Sequence, residues 1–400
     1  MKGWFNRFSA QILATLPPQR LLSLDVFRGV TITAMVLVNN PGSWSYTYAP
    51  MAHAKWHGWT PTDLIFPFFV FIIGISMAIV MDRKPKTPEI NTKLIKTAFV
   101  RGAKLFALGL FLAVFYYDFT NPKFDWLEQQ VMSIRIMGVL QRLGLIFFAT
   151  VCIVLWFKQV GRALVMATLL LGYWAILMWV PYGNEHTGLF VGKLEFGNNI
   201  SAWLDDTLFA SKNLYFSSAT PFAFDPEGVL STFPAIAGAL AGVFTGELLL
   251  KKHIPLIKKV KLMLIAGGVC LFVAKIWSIY LPINKSIWTS SYVVMSTGWG
   301  LVCLGVLTYI VDIKKFKYWT APFVIFGANA IAFYMFSAIV ARLLIMIPVA
   351  DTTLHGWLFQ KLFQPLFGNY LGSLMFAIAF CLGSFLVMKW LYQKKIFFKV

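Results

Sequence analysis

His53, His57 and Asp63 stand close together in the segment HAKWHGWTPTD. Two histidines four apart are half of a zinc pattern, but His186, His253 and His355 supply no matching pair and no HExxH run exists. No metal is assigned on this basis. A neutral imidazole in a sheltered loop suits general-base chemistry, because its unperturbed pKa of about 6.5 lies near working pH; a surface loop histidine is the plain alternative. Arg28 and Asn39 are eleven residues apart, three helical turns and about 16 Å of rise, so they share one helix face. Arg28 reads either as an anion ligand or as an interfacial anchor, and Asn39, beside Pro41, as a site amide or a helix terminator. Arg135 and Arg142, seven apart in RIMGVLQRLGL, also fall on one face, and a buried arginine needs an anionic partner or ligand. Asp225 and Glu227 in FDPEGVL could hold a cation or simply cap the next helix. Asn284, Lys285 and Trp288 in PINKSIWTSSY sit at the entrance of an apolar block, where tryptophan also serves as an interface anchor. Asn329 in FGANAIAFY is an amide inside such a block, where bonding to a neighbouring helix is worth about 0.6–2 kcal/mol.

These residues must be carried by membrane-spanning helices. Of 400 residues, 58% are apolar, 17% aromatic and 13% charged, and the mean hydropathy is +0.71. Apolar blocks long enough to cross a hydrocarbon layer fall at roughly 26–41, 62–81, 97–117, 134–157, 162–181, 228–249, 261–281, 291–311, 322–347 and 370–392. The expected fold is an all-α polytopic bundle of about ten spans, forming one domain over residues 1–400. Alternate linkers are basic: Arg83, Lys84, Lys86, Lys93, Lys96, Arg101 and Lys104; the lysines of 250–261; Lys314, Lys315 and Lys317; and Lys394, Lys395 and Lys399. By the positive-inside rule these are cytoplasmic, as are both termini and the N-terminal segment 1–25. The long linker 182–227, with Glu185, Glu195, Asp205, Asp206, Asp225 and Glu227 against Lys193 and Lys212, faces the other side.

The formal charge of +19 therefore reports topology, with no soluble basic domain to bind nucleic acid. Trp4, Phe8, Ile12 and Leu16, beside Lys2 and Arg7, suit a helix lying on the cytoplasmic face, with a disordered tail as the alternative, and no cleavage site marks a signal peptide. Cys152, Cys270, Cys303 and Cys381 lie inside apolar blocks and read as inert. No internal repeat of the kind found in many transporters is evident. Pro41, Pro50 and Pro61 make the linker after the first span irregular, and irregular backbone beside a membrane core usually lines a cavity.

The runs SLDVFRGVTITAMVLVN, HAKWHGWTPTDLIFPFFVFIIG, GVLQRLGL, FDPEGVLST and LPINKSIWTSSY occur in order and together resemble the heparan-alpha-glucosaminide N-acetyltransferase family. The resemblance implies transfer of acetyl from cytosolic acetyl-CoA, a co-substrate, to an amino-sugar nitrogen across the membrane. It makes His53 the catalytic histidine and Asn39 its companion, and gives His57 no counterpart. Asp225, Glu227, Asn284, Lys285, Trp288 and Asn329 become candidates for the acceptor, and Arg28 and Arg142 for the CoA phosphates. Broader transmembrane acyltransferases have histidine where this pattern ends in Asn39. The large luminal region and extra first helix of the animal enzyme are missing, so the sequence looks like a member from a bacterial inner membrane, with room for a homodimer. O-acylation of a periplasmic glycan, sugar transport without acyl chemistry and a structural membrane subunit are the competing readings.

Overall fold

The structure, a computed structural model, describes residues 2–17, 21–85, 87–184 and 187–398, excluding the side chains of residues 2–6 and 184. Lys86, Glu185, His186 and Lys399 of the sequence reading lie outside the described residues, as do the side chains of Lys2 and Trp4. Helix α1 (Lys2–Ala14) precedes α2 (Leu22–Asn39), α3 (Ile65–Asp82), α4 (Pro88–Val114), α5 (Val139–Trp156) and α6 (Gln159–Trp179). A hairpin of β1 (Tyr182–Asn184) and β2 (Gly188–Phe190) and the short α7 (Ile200–Leu208) follow. Then come α8 (Thr232–Leu250), α9 (Leu256–Trp277), α10 (Ser290–Leu307), α11 (Ala321–Ala328) and α12 (Ala330–Met346). A second small hairpin, β3 (Pro348–Val349) with β4 (Thr352–Thr353), and the short α13 (Leu354–Leu358) and α14 (Gln364–Phe367) lead into α15 (Asn369–Gln393).

Among the described residues, nine helices are long and apolar enough to cross a membrane. The span expected at 322–347 is broken: α11 and α12 meet at 84° around Asn329, and only as one crossing do they bring the total to ten. Two bonds make the even count physical. Thr15 Oγ1 lies 2.8 Å from Tyr392 OH, and Ser9 Oγ donates to the Tyr318 carbonyl (2.6 Å), so α1, the end of α15 and the linker before α11 share one end of the bundle. That end also carries the basic linkers. Helix α1 forms as expected, but Phe8 and Ile12 are buried against the bundle, so α1 packs on protein and does not merely lie on lipid.

Local chemistry sets the boundaries. Helix α2 starts four residues before the expected position because Asp312, at the end of the α10 segment, accepts from the Leu22 and Ser23 N–H groups (3.1 and 3.0 Å). It stops at Asn39, ahead of Pro41. Helix α4 begins with Pro88 in its first turn and Thr87 as its cap. Glycines let helices approach closely where lipid provides no hydrophobic drive. A Cβ on Gly74 of α3 would stand 1.9 Å from the Ala239 oxygen of α8, and one on Gly242 would stand 2.1 Å from the Phe71 oxygen.

Candidate functional site

The turn Thr60–Pro61–Thr62–Asp63 that opens α3 is a capping box, so local sequence fixes the Asp63 carboxylate at a helix start. It accepts from the Thr60 and Ala54 N–H groups (2.9 and 3.1 Å), and Asp63 Oδ1 lies 2.6 Å from His53 Nδ1. Tyr292 of α10 donates to the Asp63 backbone oxygen (2.5 Å). Asp63 is buried, whereas the His53 side chain is 51% exposed. A carboxylate already taking two N–H bonds acts as an acceptor, so in the neutral imidazole Nδ1 carries the proton and Nε2 keeps its lone pair. Such a nitrogen can take a proton from an approaching amine or hydroxyl.

Lys285 completes the group from the linker between α9 and α10. Its Nζ is 3.2 Å from both ring nitrogens of His53 and 3.8 Å from Asp63 Oδ1. Equal distances fit an ammonium beside the Nδ1–Cε1–Nε2 edge better than one directed bond. Burial pulls the Lys285 ammonium below its ordinary range and Arg142 and Arg135 push the same way, against the pull of Glu227 and Asp63. Asn284 is buried, accepts from Ile287 N–H (3.1 Å) and has Nδ2 3.4 Å from His57 Nδ1, so it shapes the loop that presents Lys285. The Gly58 N–H donates to the Ile283 oxygen (2.7 Å) and Trp56 Nε1 to the Leu194 oxygen (2.8 Å), clamping the His53 loop between two other linkers.

Behind this group lies a buried charge cluster. Arg135 binds Asp225 in a bidentate fork, Nε to Oδ2 and Nη2 to Oδ1, both 2.6 Å, and Nη2 also reaches Glu227 Oε2 at 2.6 Å. Burial opposes ionisation of Glu227, and Arg135, Arg142 and Lys285 together overcome it, holding the carboxyl below its usual range. Asp205 of α7 accepts from the Val229 and Asp225 N–H groups (3.0 and 3.3 Å), yet burial pushes its carboxyl up to about 7. Arg142 is fully buried; Nη2 bonds to the Gly228 oxygen (3.2 Å) and Ser231 Oγ, and its Cζ lies 4.9 Å above the Trp288 ring.

Several expectations change here. Asp225 and Glu227 are both engaged by Arg135, Asp225 through both carboxylate oxygens and Glu227 through Oε2. Arg135 and Arg142 do not share a helix face, because extended backbone at Gly138 delays α5 to Val139. Arg142 lies at the acidic end, engaged with Ser231 and Trp288, and not among the basic linkers expected to meet CoA. Trp288 is a buried side chain packed against Phe66 and Tyr292. Asn329 belongs to the basic end, where its amide bonds residues 396 and 398. Asn39 is exposed at the end of α2 and forms no side-chain hydrogen bond among the described residues; its neighbour Asn40 is buried and donates to the Val36 oxygen (2.6 Å). Asp63 entered the sequence reading only as a third group near the histidine pair, although its capping-box spacing was a signal of its fixed position. Among the described residues no cluster of three or more His, Cys, Asp or Glu is placed to hold a metal ion.

At the basic end, a cavity of about 350 Å³ opens between α2, α3, α4, α5 and the α11–α12 break. Arg28 and Arg101 supply its charge and Ser76 and Thr97 its hydroxyls, within mostly apolar walls. Arg28 Nη2 donates to Ser76 Oγ (2.8 Å) and its Nη1 lies 3.8 Å from Asp25 Oδ1. Arg101 is a residue that sequence reasoning counted only as part of a basic linker. A narrow apolar void of about 20 Å³ shares Phe69, Leu143, Ala330 and Ile331 with this cavity and continues to Phe66, one turn from Asp63. The arginines and hydroxyls of the larger cavity suit a phosphate-bearing ligand.

The family model described as heparan-alpha-glucosaminide N-acetyltransferase, catalytic, matches residues 20–282. The chain is 31% identical over 366 residues to the human protein named heparan-alpha-glucosaminide N-acetyltransferase, covering 81% of this chain and 53% of that protein. It is 28% identical over 359 residues to the mouse protein of the same name, covering 79% and 53%. The chain thus spans about half the length of these curated relatives. The matched residues include the His53–Asp63 pair, both arginines of the cavity and the Arg135 cluster, and on that match this chain belongs to the heparan-alpha-glucosaminide N-acetyltransferase catalytic family.

Proposed function

We propose that this protein is a transmembrane N-acetyltransferase that moves acetyl from cytosolic acetyl-CoA to the amine of glucosamine or a related amino sugar on the opposite side of the membrane. The observation that carries the reading is the 2.6 Å contact of His53 Nδ1 with the buried Asp63 carboxylate, at the end of the bundle opposite the arginine-lined cavity. In this reading Nε2 of His53 takes a proton from the acceptor amine as nitrogen attacks the thioester carbonyl. The C–N bond forms, the carbonyl becomes an oxyanion, and its collapse breaks the C–S bond. The departing thiolate takes up the proton from His53. Asp63 holds the imidazole in the required tautomer throughout.

The oxyanion needs donors, and Lys285 beside the imidazole is the group best supported, with Asn39 as its expected companion. One such donor is worth about 3–4 kcal/mol of transition-state stabilisation. Arg28 and Arg101, in place of Arg142, are the cations for the phosphates of CoA, and the narrow void beyond them is the route for its thioester arm. The home of the enzyme would be a cytoplasmic membrane with the basic linkers inside.

The test is transfer of labelled acetyl from acetyl-CoA to glucosamine by the purified protein in lipid, with His53→Ala as the control. Transfer that disappears in the variant is the expected result. Transfer only to hydroxyl acceptors would turn the reading to O-acylation, and acceptor flux without any need for acetyl-CoA would turn it to transport.

A further inference from the structure

Helix α15 does not simply end at the basic side; it is turned back. Lys395 adopts φ +56, its N–H bonds the Tyr392 oxygen (3.0 Å), and the Ile396 N–H bonds the Leu391 oxygen (2.9 Å). This is a Schellman motif with lysine where glycine is usual, so the reversal is held against the preference of an L-residue. The strap that follows lies across the break between α11 and α12. Asn329, only 2% exposed, donates from Nδ2 to the Ile396 oxygen (2.9 Å) and accepts at Oδ1 from the Phe398 N–H (3.0 Å). Both functions of one amide are thus spent on a three-residue strap. Phe397 is held by an edge contact with Tyr392, ring centroids 5.7 Å apart. Phe398 remains exposed and lines the cavity that also holds Arg28 and Arg101. Lys394 and Lys395 stand exposed beside it.

We infer that strap 396–398 is the outer rim of the donor site, that Phe398 stacks on the adenine of CoA, and that Asn329 is the positioning residue that holds the rim in place. The inference rests on the proposed use of acetyl-CoA. Its chemistry is that of nucleotide capture: an aromatic face for the base, with cations nearby for the phosphates. It also explains why a buried amide interrupts a membrane span, since a continuous helix through residue 329 would leave the strap without its clamp.

The experiment compares two donors carrying the same thioester, acetyl-CoA and acetyl-pantetheine, which lacks the nucleotide. In full-length protein in lipid, Asn329→Ala and Phe398→Ala should each raise KM for acetyl-CoA about tenfold and leave kcat, the acceptor KM and the kinetics with acetyl-pantetheine unchanged. Equal losses with both donors would mark Asn329 as merely structural and overturn the inference, as would no change with either. A second readout needs no turnover: the thiol of Phe398→Cys should be shielded from a maleimide by acetyl-CoA and not by acetyl-pantetheine, neither of which has a free thiol to consume the reagent. Absence of shielding by acetyl-CoA overturns the rim. A wild type that transfers acetyl from neither donor instead defeats the proposed function, while the thiol experiment still reports on CoA binding.

Discussion

His53 and Asp63 are ten residues apart in the chain and 2.6 Å apart at Nδ1 and Oδ1, joined by a loop whose far end is a helix cap. The carboxylate therefore organises three things at once: the start of α3, the path of the loop, and the tautomer of the imidazole.

Asp63→Asn should lower kcat by about 10³- to 10⁴-fold, because an amide cannot hold the Nδ1–H tautomer as a carboxylate does. Steady-state kinetics should show little change in KM for the donor. The double variant with His53→Ala should be no worse than His53→Ala alone, since the two groups act as one unit. Additive losses would separate their roles.

Lys285→Met should cost about 10²-fold or more in kcat. Burial lowers the pKa of this ammonium, so wild-type activity should decline on the alkaline side below the usual lysine range, as the charge is lost. Lys285→Arg keeps its charge, and its alkaline limb should move to higher pH. A pH–rate profile identical in wild type and Lys285→Arg would remove the ammonium from the mechanism.

Arg135→Met leaves Asp225 and Glu227 buried without their partner, and breaking such a cluster costs about 3–5 kcal/mol. The melting temperature in detergent should fall sharply. Arg135→Lys should recover only part of the loss, because a single ammonium cannot reproduce the fork to Asp225 together with the bond to Glu227.

Asp205 gives a pH dependence with a definite sign. Its folded pKa, about 7, exceeds the ordinary carboxyl value of 3.8, so its contribution to stability is complete below about pH 4 and is lost as pH rises to 7. The loss is at most about 4 kcal/mol at about 1.4 kcal/mol per unit. Between pH 4 and 8, the stability of the wild type relative to Asp205→Asn should fall as pH rises; parallel curves would mean that the carboxyl titrates normally.

Gly74→Ala should destabilise the α3–α8 pair by about 1–3 kcal/mol or more, because the new methyl meets a backbone oxygen that cannot rotate away. Gly268→Ala, with open space around it, is the matched control and should be neutral. Equal melting temperatures would show that the helices can separate at no cost.

The sequence by itself determined the class of fold, the approximate spans and the existence of two chemically different ends. Those properties follow from the cost of exposing backbone and charge to lipid, a cost that each segment meets on its own. The proline-broken loop marked His53 and His57 alike, and only the family resemblance chose His53 between them. Partnership was not legible. Asp225 and Glu227 read as cation ligands or helix caps, and nothing in the sequence paired them with Arg135, ninety residues earlier. The sequence likewise shows neither the bonds of Arg142 to Gly228 and Ser231 nor the break at Asn329, whose amide is used by a strap nearly seventy residues away. Hydrogen bonds and ion pairs between distant segments depend on which helices become neighbours, and only tertiary packing decides that.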